Sequence, residues 1–176
     1  MADSSPTISV LFVCLGNHCR SPTAQAVANA LRPDPSIAQF DSAGTGRSHV
    51  GESPHPMAVA EGAARGYRLD HIGRQIHPDD FARFDLIVAM DRMNVDDLER
   101  MRGGVEQRTG HYAAVEPVQV QLLRRWDPYA MPGDENLADP WGGPVEAYRS
   151  MFDVIERSVP ALLEHLAWLY AEHPGE

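Results

Sequence analysis

Cys14 and Arg20 stand six residues apart in VLFVCLGNHCRSPTAQ, between an apolar run and what reads as a helix start. A short loop that leaves a strand and enters a helix turns several backbone N–H groups inward, and the helix dipole adds partial positive charge. Such a loop cradles an anion. The planar guanidinium of Arg20 offers a two-pronged fork to phosphate oxygens. Cys14 feels the same positive field, which favours its thiolate form. A thiolate facing a bound phosphate is a phosphoryl acceptor.

Chemistry at a cysteine nucleophile also needs an acid for the leaving group and then a base for water. The candidates are Asp127 in WDPY and Asp139 in ADPW, and spacing alone does not choose between them. The cradle already offsets the charge on the equatorial oxygens of a loose transition state, so neither a metal nor another cofactor is required. His49, His55, His77 and His111 show no zinc-site spacing. Cys14, His18 and Cys19 would have to abandon an anion-binding loop conformation to share a metal, so no metal site is expected. Met90, Met93 and Met101 read as core or helix filler.

The elements that must position this loop follow from the hydrophobic pattern. Strands are predicted over Ile8–Val13, Gln39–Ala43, Asp85–Met90 and Val118–Leu123. Helices are predicted over Pro22–Leu31, Pro54–Arg65, Asp91–Met101 and Pro144–Tyr170, with Asp91 as an N-cap and an interruption at Pro160. Strands alternating with helices predict an α/β fold, a single domain with a parallel four-stranded sheet and helices on both faces. The domain is expected over residues 8–170, between tails at 1–7 and 171–176. In such sheets ligands sit beyond the carboxyl ends of the strands, which is where the Cys14–Arg20 loop falls. Arg125–Gly143, rich in proline, glycine and acid, is expected to be the longest loop and a mobile surface segment.

Composition narrows the function classes. The formal net charge of −10 argues against a nucleic-acid partner, which needs Lys and Arg to neutralise phosphates. All fifteen basic residues are arginine, a bias that carries no function. No apolar run approaches the length of a membrane span, and the N-terminal stretch lacks the basic and cleavage features of a secretory signal. The two cysteines both lie in the opening loop and cannot staple distant segments, which fits a reducing compartment. A cytoplasmic protein without membrane attachment is expected, as a monomer or weak dimer.

VCLGNHCRSP resembles the C-x-G-N-x-C-R-S-P signature of the low-molecular-weight protein tyrosine phosphatases. The likeness continues in order through DSAGTG from Asp41, DHIGRQI from Asp70, DDFARFDLIVAMDRMNVDDL from Asp79 and DPWGGPVEAYRSMFDVIE from Asp139, and so spans Ile8 to Leu169. The resemblance implies a flavodoxin-like fold and hydrolysis of phosphotyrosine in a phosphorylated protein partner through a phosphocysteine intermediate. It implies Cys14 as nucleophile, Arg20 as transition-state clamp and Asp139 as general acid, with Asp127 matching an upstream Asp-Pro that has no catalytic part. Leu15, Gly16, Asn17, His18, Cys19 and Ser21 complete the phosphate-binding loop. Gly16 lets the backbone approach the anion closely. The resemblance also implies that Asn17 holds the loop in left-handed backbone geometry through Ser42 and His71, and that Ser21 stabilises the leaving thiolate. For Cys19 the resemblance implies a reversible, shielding disulfide with Cys14; the residue type alone reads as a small apolar side chain packed beneath the loop.

The chain departs from the tyrosine-directed pattern in three places. His18 stands where many tyrosine phosphatases carry isoleucine and protein-arginine phosphatases carry threonine, at a rim that touches the group bearing the phosphate. Protonated, it would help hold phosphate near neutral pH; otherwise it is a solvent-facing imidazole. Ser48 occupies a position often aromatic, which leaves Trp141 as the main aromatic wall. DPWGG is closer to the arginine-directed branch, whereas VQVQLLRRWDPY and DHIGRQIHPDDF are closer to the tyrosine-directed one. Phosphotyrosine is therefore the expected substrate and phosphoarginine the alternative. Arsenate reduction is disfavoured because no relay cysteines follow the loop, and a non-catalytic phosphoprotein-binding module because both nucleophile and acid are present.

Overall fold

The computed structural model describes residues 7–109 and 119–172. Residues 1–6 and 173–176 of the expected tails, His111, and Val118 at the start of the last predicted strand lie outside the described residues. The chain runs β1 (Ile8–Cys14), α1 (Arg20–Leu31), β2 (Ala38–Gly44), α2 (Pro56–Ala64), α3 (Asp80–Arg83), β3 (Leu86–Ala89), α4 (Arg92–Thr109), β4 (Gln119–Leu122) and α5 (Val145–Glu172). The four strands form one parallel sheet in the order β2-β1-β3-β4, as the alternation of elements predicts.

Side chains of β1 alternate between two cores, because successive residues of a strand face opposite sides. Val10, Phe12 and Cys14 join α1 and the buried face of α5, including Ile155, Val159 and Leu162. Leu11 and Val13 join Ile87, Ala89, Phe81 of α3 and Leu98 of α4. Both faces of the sheet are thereby covered, which is why its strands read as continuous apolar runs. β1 is central, and the chain passes to one side of it for β2 and to the other for β3. Its carboxyl end is the switch point at which such sheets take ligands.

Several local expectations are corrected. α1 begins at Arg20, two residues ahead of Pro22, so Arg20 is the first residue of the helix; proline costs no hydrogen bond in a first turn whose N–H groups lack intrahelical partners. α2 begins at Pro56 rather than Pro54, with the His55 ring Nδ1 accepting the Met57 N–H at 3.1 Å. α5 is continuous through Pro160, which is exposed, while Ile155, Ser158, Val159, Leu162 and Leu166 are buried around it. Tertiary burial of that apolar face outweighs the one hydrogen bond that proline removes. Leu123, expected in the last strand, opens a 3₁₀ turn that continues to Trp126.

The segment from Arg125 to Gly143 is pinned rather than loose. Arg124 binds Asp127 and Asp134 at 2.9 and 2.8 Å, and Asn136 Oδ1 accepts the Arg92 N–H at 2.8 Å. Leu137 is buried, and its N–H donates to the Met90 carbonyl at 2.8 Å. These ties carry the following Asp139 to the end of the sheet.

Candidate active site

The loop from Cys14 to Arg20 is shaped from outside. Thr45 N–H and Gly46 N–H, just past β2, donate to the carbonyls of Cys14 and Leu15 at 2.9 and 2.8 Å, and His55 N–H donates to the His18 carbonyl at 2.8 Å. Those carbonyls are thereby engaged away from the cleft, and Asn17 N–H points at Cys14 Sγ, 3.2 Å away. Gly44 makes the approach possible, since a Cβ there would sit 2.7 Å from the Leu15 carbonyl and 2.9 Å from Asn17 N.

Asn17 is the buried anchor, at φ 51°, the left-handed region that asparagine tolerates better than most residues. Its amide nitrogen donates to Ser21 Oγ at 2.9 Å and Ser42 Oγ at 3.0 Å. Its oxygen accepts from Arg74 N–H and His71 Nε2, each at 2.9 Å. Both donors and both lone pairs are thus engaged, which fixes the amide completely. Ser42 Oγ–H donates to Gln25 Oε1 at 2.7 Å, and Ser21 Oγ lies 3.0 Å from Cys14 Sγ. Burial, acting before the opposing charge of Asp41, keeps the His71 imidazole below its ordinary pKa.

Arg20 is buried and held by three groups. Nη1 donates to Asp91 Oδ2 at 2.6 Å and to the Leu137 carbonyl at 3.0 Å, while Nη2 reaches Asp139 Oδ2 at 3.3 Å. The structure brings Cys14, Arg20 and Asp139 to one cleft of about 410 Å³, lined also by His18, Ser48 and Trp141. Asp139 is partly exposed there, and its Oδ1 accepts the Trp141 N–H at 3.2 Å.

Asp127 is elsewhere and otherwise occupied. Its side chain is fully buried between Arg124 and Arg157, with oxygens at 2.7, 2.9 and 3.0 Å from their guanidinium nitrogens. Burial works to raise its pKa, but Arg157, the Tyr129 N–H and Arg124 together hold the carboxyl down to about 2. A group so acidic cannot carry a proton to a leaving group at neutral pH. The two Asp-Pro carboxylates are therefore separated by environment.

His18 does not face solvent alone. Its ring stacks on His49 with centroids 3.8 Å apart and planes 2° from parallel, and meets His55 edge-on at 5.3 Å. Burial, then the neighbouring His49 and His55, lower its pKa, which disfavours the protonated ring. His49 also packs over Gly16, where a Cβ would come within 3.1 Å of the His49 ring. Stacked imidazoles thus form one wall of the cleft and the exposed indole of Trp141 contributes another, with Ser48 exposed at the edge. Cys19 is buried beneath the loop beside Tyr148. Burial first, and the negative charge of Asp139 second, push its thiol up to about 12.

Asp91, Gln25, Arg74 and His49 escaped the sequence reading as site residues. Asp91 carried a weak signal, an aspartate just beyond the carboxyl end of a predicted strand; the other three reach the site only through tertiary contacts.

Residues 9–169 match the family model for low molecular weight phosphotyrosine protein phosphatase. A Streptomyces coelicolor low molecular weight protein-tyrosine-phosphatase is 38% identical over 160 residues, 89% of this chain and 92% of that protein. The crystal structure of an Entamoeba histolytica protein tyrosine phosphatase with Hepes in the active site superposes with a TM-score of 0.79 at 28% identity, covering 92% of this chain and 98% of that one. A Drosophila arginine phosphatase superposes with a TM-score of 0.76 at 31% identity, covering 89% of this chain and 96% of that one.

Proposed function

The chain belongs to the low molecular weight phosphotyrosine protein phosphatase family and is a protein phosphatase, and from that premise we propose that it hydrolyses phosphotyrosine in proteins through a phosphocysteine intermediate. The observation that carries this reading is the meeting of Cys14, Arg20 and Asp139 in one cleft bounded by flat ring systems.

In the proposed cycle the phosphoryl group takes the place of Asp139 on Arg20 Nη2, while Asp91 and the Leu137 carbonyl keep Nη1 aimed. The Cys14 thiolate attacks phosphorus, the bond to the phenolic oxygen breaks, and Asp139 gives its proton to that oxygen. Asp139, now a carboxylate, takes a proton from water; the resulting attack on phosphorus breaks the S–P bond and releases inorganic phosphate. Ser21, 3.0 Å from Sγ, donates to the sulfur as it departs with its charge. Cys19, protonated at neutral pH, joins a shielding disulfide only after a peroxide oxidises the Cys14 thiolate by two electrons to a sulfenic acid; attack of the Cys19 sulfur then forms the S–S bond and expels water.

A second reading, phosphoarginine hydrolysis, is favoured by Trp141-Gly142-Gly143 and by the likeness to the Drosophila protein. The test compares phosphate release from matched phosphotyrosine and phosphoarginine peptides, without added metal, for wild type and Cys14→Ser. Preference for the tyrosine peptide, lost in the variant, is the expected result. Preference for the arginine peptide overturns the substrate assignment, and turnover surviving in Cys14→Ser overturns the mechanism.

A further inference from the structure

At the mouth of the cleft the chain gathers a second set of reactive side chains from separate segments. His18, His49 and Glu52 each present one ligand atom, and all three atoms lie within 4.8 Å of one another. His49 Nδ1 already meets Glu52 Oε2 at 2.8 Å. His18 Nδ1 is buried without a hydrogen bond of ordinary geometry, although the Ser53 backbone lies alongside. A sequestered ring nitrogen with only a poorly aligned backbone group beside it is one that a water or a metal ion can complete.

The turn that carries His49 and Glu52 is braced. Glu52 N–H donates to the His49 carbonyl at 3.1 Å, Gly73 N–H to the Glu52 carbonyl at 2.8 Å, and Gly51 N–H to the Gly73 carbonyl at 2.8 Å. His18 is fixed from its own side by the His55 N–H on its carbonyl. Two imidazoles and a carboxylate are a donor set that suits zinc in a site with one position left open.

We propose that His18, His49 and Glu52 form a binding site for a zinc ion at the mouth of the catalytic cleft, with the fourth coordination position open to water. A tetrahedral shell with bonds of about 2.0–2.1 Å brings ligand atoms closer together than 4.8 Å. The parallel rings therefore tip out of their stack to aim their in-plane lone pairs at the ion, and the His49 ring lifts from Gly16 as they do. Glu52, half exposed at the surface, is the point of entry. Occupancy of this site does not depend on which phosphoamino acid the enzyme hydrolyses.

The test is a titration of chelator-stripped protein with zinc in competition with a chromophoric chelator, in wild type and in a Cys14→Ser, Cys19→Ser variant that removes both thiols as ligands. One zinc per chain is expected in both. In the thiol-free background, His49→Ala and Glu52→Gln are each expected to weaken binding at least about tenfold, the scale seen when even supporting residues of metal sites are lost. Glu52→Gln, a change at an exposed position, carries the comparison should the other variants fold poorly. Zinc binding that vanishes with the thiols in a folded protein, or that both substitutions leave unchanged, overturns the proposal.

Discussion

Arg20 and Asp91 meet at 2.6 Å across the end of the sheet, one opening α1 and the other immediately preceding α4. Asp91 does two things with its two oxygens. Oδ1 caps α4 by accepting the Asn94 N–H at 2.8 Å, while Asn94 Oδ1 accepts the Asp91 N–H at 3.2 Å in return. Oδ2 holds the guanidinium. Asparagine is as good an N-cap as aspartate but carries no charge. Asp91→Asn is thus expected to keep the α4 cap but to loosen the hold on the buried Arg20, lowering kcat roughly 10–100-fold, the worth of one charged hydrogen bond of about 1.5–3 kcal/mol. Asp91→Ala is expected to lose about 1 kcal/mol of stability as well. Paired thermal melts and kinetics decide it; full activity in Asp91→Asn means that Arg20 is aimed without this carboxylate.

Asn17 offers a cleaner separation of shape from chemistry. Asn17→Ala leaves Ser42, His71 and the Arg74 N–H short of a partner and places an L side chain without a polar end at positive φ. A cost on the order of 3 kcal/mol is expected from the stranded buried groups. Asn17→Gly relieves only the backbone part of that cost, so it is expected to recover some stability with kcat still depressed. Recovery of turnover by the glycine variant would show that the side-chain network is dispensable.

The Asp127 carboxyl links fold to pH. Its pKa is about 2 in the folded chain against about 3.9 unfolded, so the unfolded state binds the extra proton as pH falls. The stabilisation is complete above about pH 4 and is lost as pH drops through about 2. Asp127→Asn is expected to unfold about 3 kcal/mol more easily at pH 7, at the low end for a broken buried ion pair because Arg157 can turn to water. The difference from wild type is expected to shrink as acid removes the same charge. Denaturant titrations at pH 7 and pH 3 measure this; a gap that stays constant refutes the linkage.

Cys19 is held as a thiol by burial. A raised folded pKa means stabilisation that is present below the unfolded value of about 8.5 and is lost as pH climbs through about 12. Both cysteines border the cleft, so iodoacetate at pH 7 is expected to modify Cys14 and to spare Cys19 because burial holds the Cys19 thiol protonated, with inorganic phosphate protecting Cys14. Peptide mass mapping that finds Cys19 labelled at a similar rate in the folded protein would contradict this.

Much of the framework was legible because it is written locally. Four apolar strand-length runs, a Gly-Asn loop between the first strand and helix, and two Asp-Pro blocks gave the sheet, the cradle and the candidate carboxylates. What failed locally did so for tertiary reasons. Pro160 looked like a break, but the buried face on either side of it keeps α5 continuous. α3 is a single turn, too short to show a period. Spacing left the two Asp-Pro aspartates equivalent and only the family resemblance pointed to Asp139; the physical difference is that Arg124 and Arg157 enclose Asp127. His49 is one residue from Ser48, yet only packing shows that it, stacked on His18, supplies a flat wall where Ser48 does not. Arg74 and Asp91 contact Asn17 and Arg20 across 57 and 71 positions, separations that no short motif records.

The fully engaged amide of Asn17 bears on how a catalytic round closes. A mould set by His71, Ser42, Ser21 and the Arg74 backbone has its form before any ester arrives and keeps it after the alcohol leaves. Little distinguishes its grip on the group being transferred from its grip on the free inorganic ion. On the proposed mechanism, departure of the spent product is governed by the same contacts that receive the substrate, and ambient oxyanions are expected to compete for the seat. The rate such an enzyme sustains is in that sense tuned by the phosphate concentration of its surroundings as well as by the supply of modified protein.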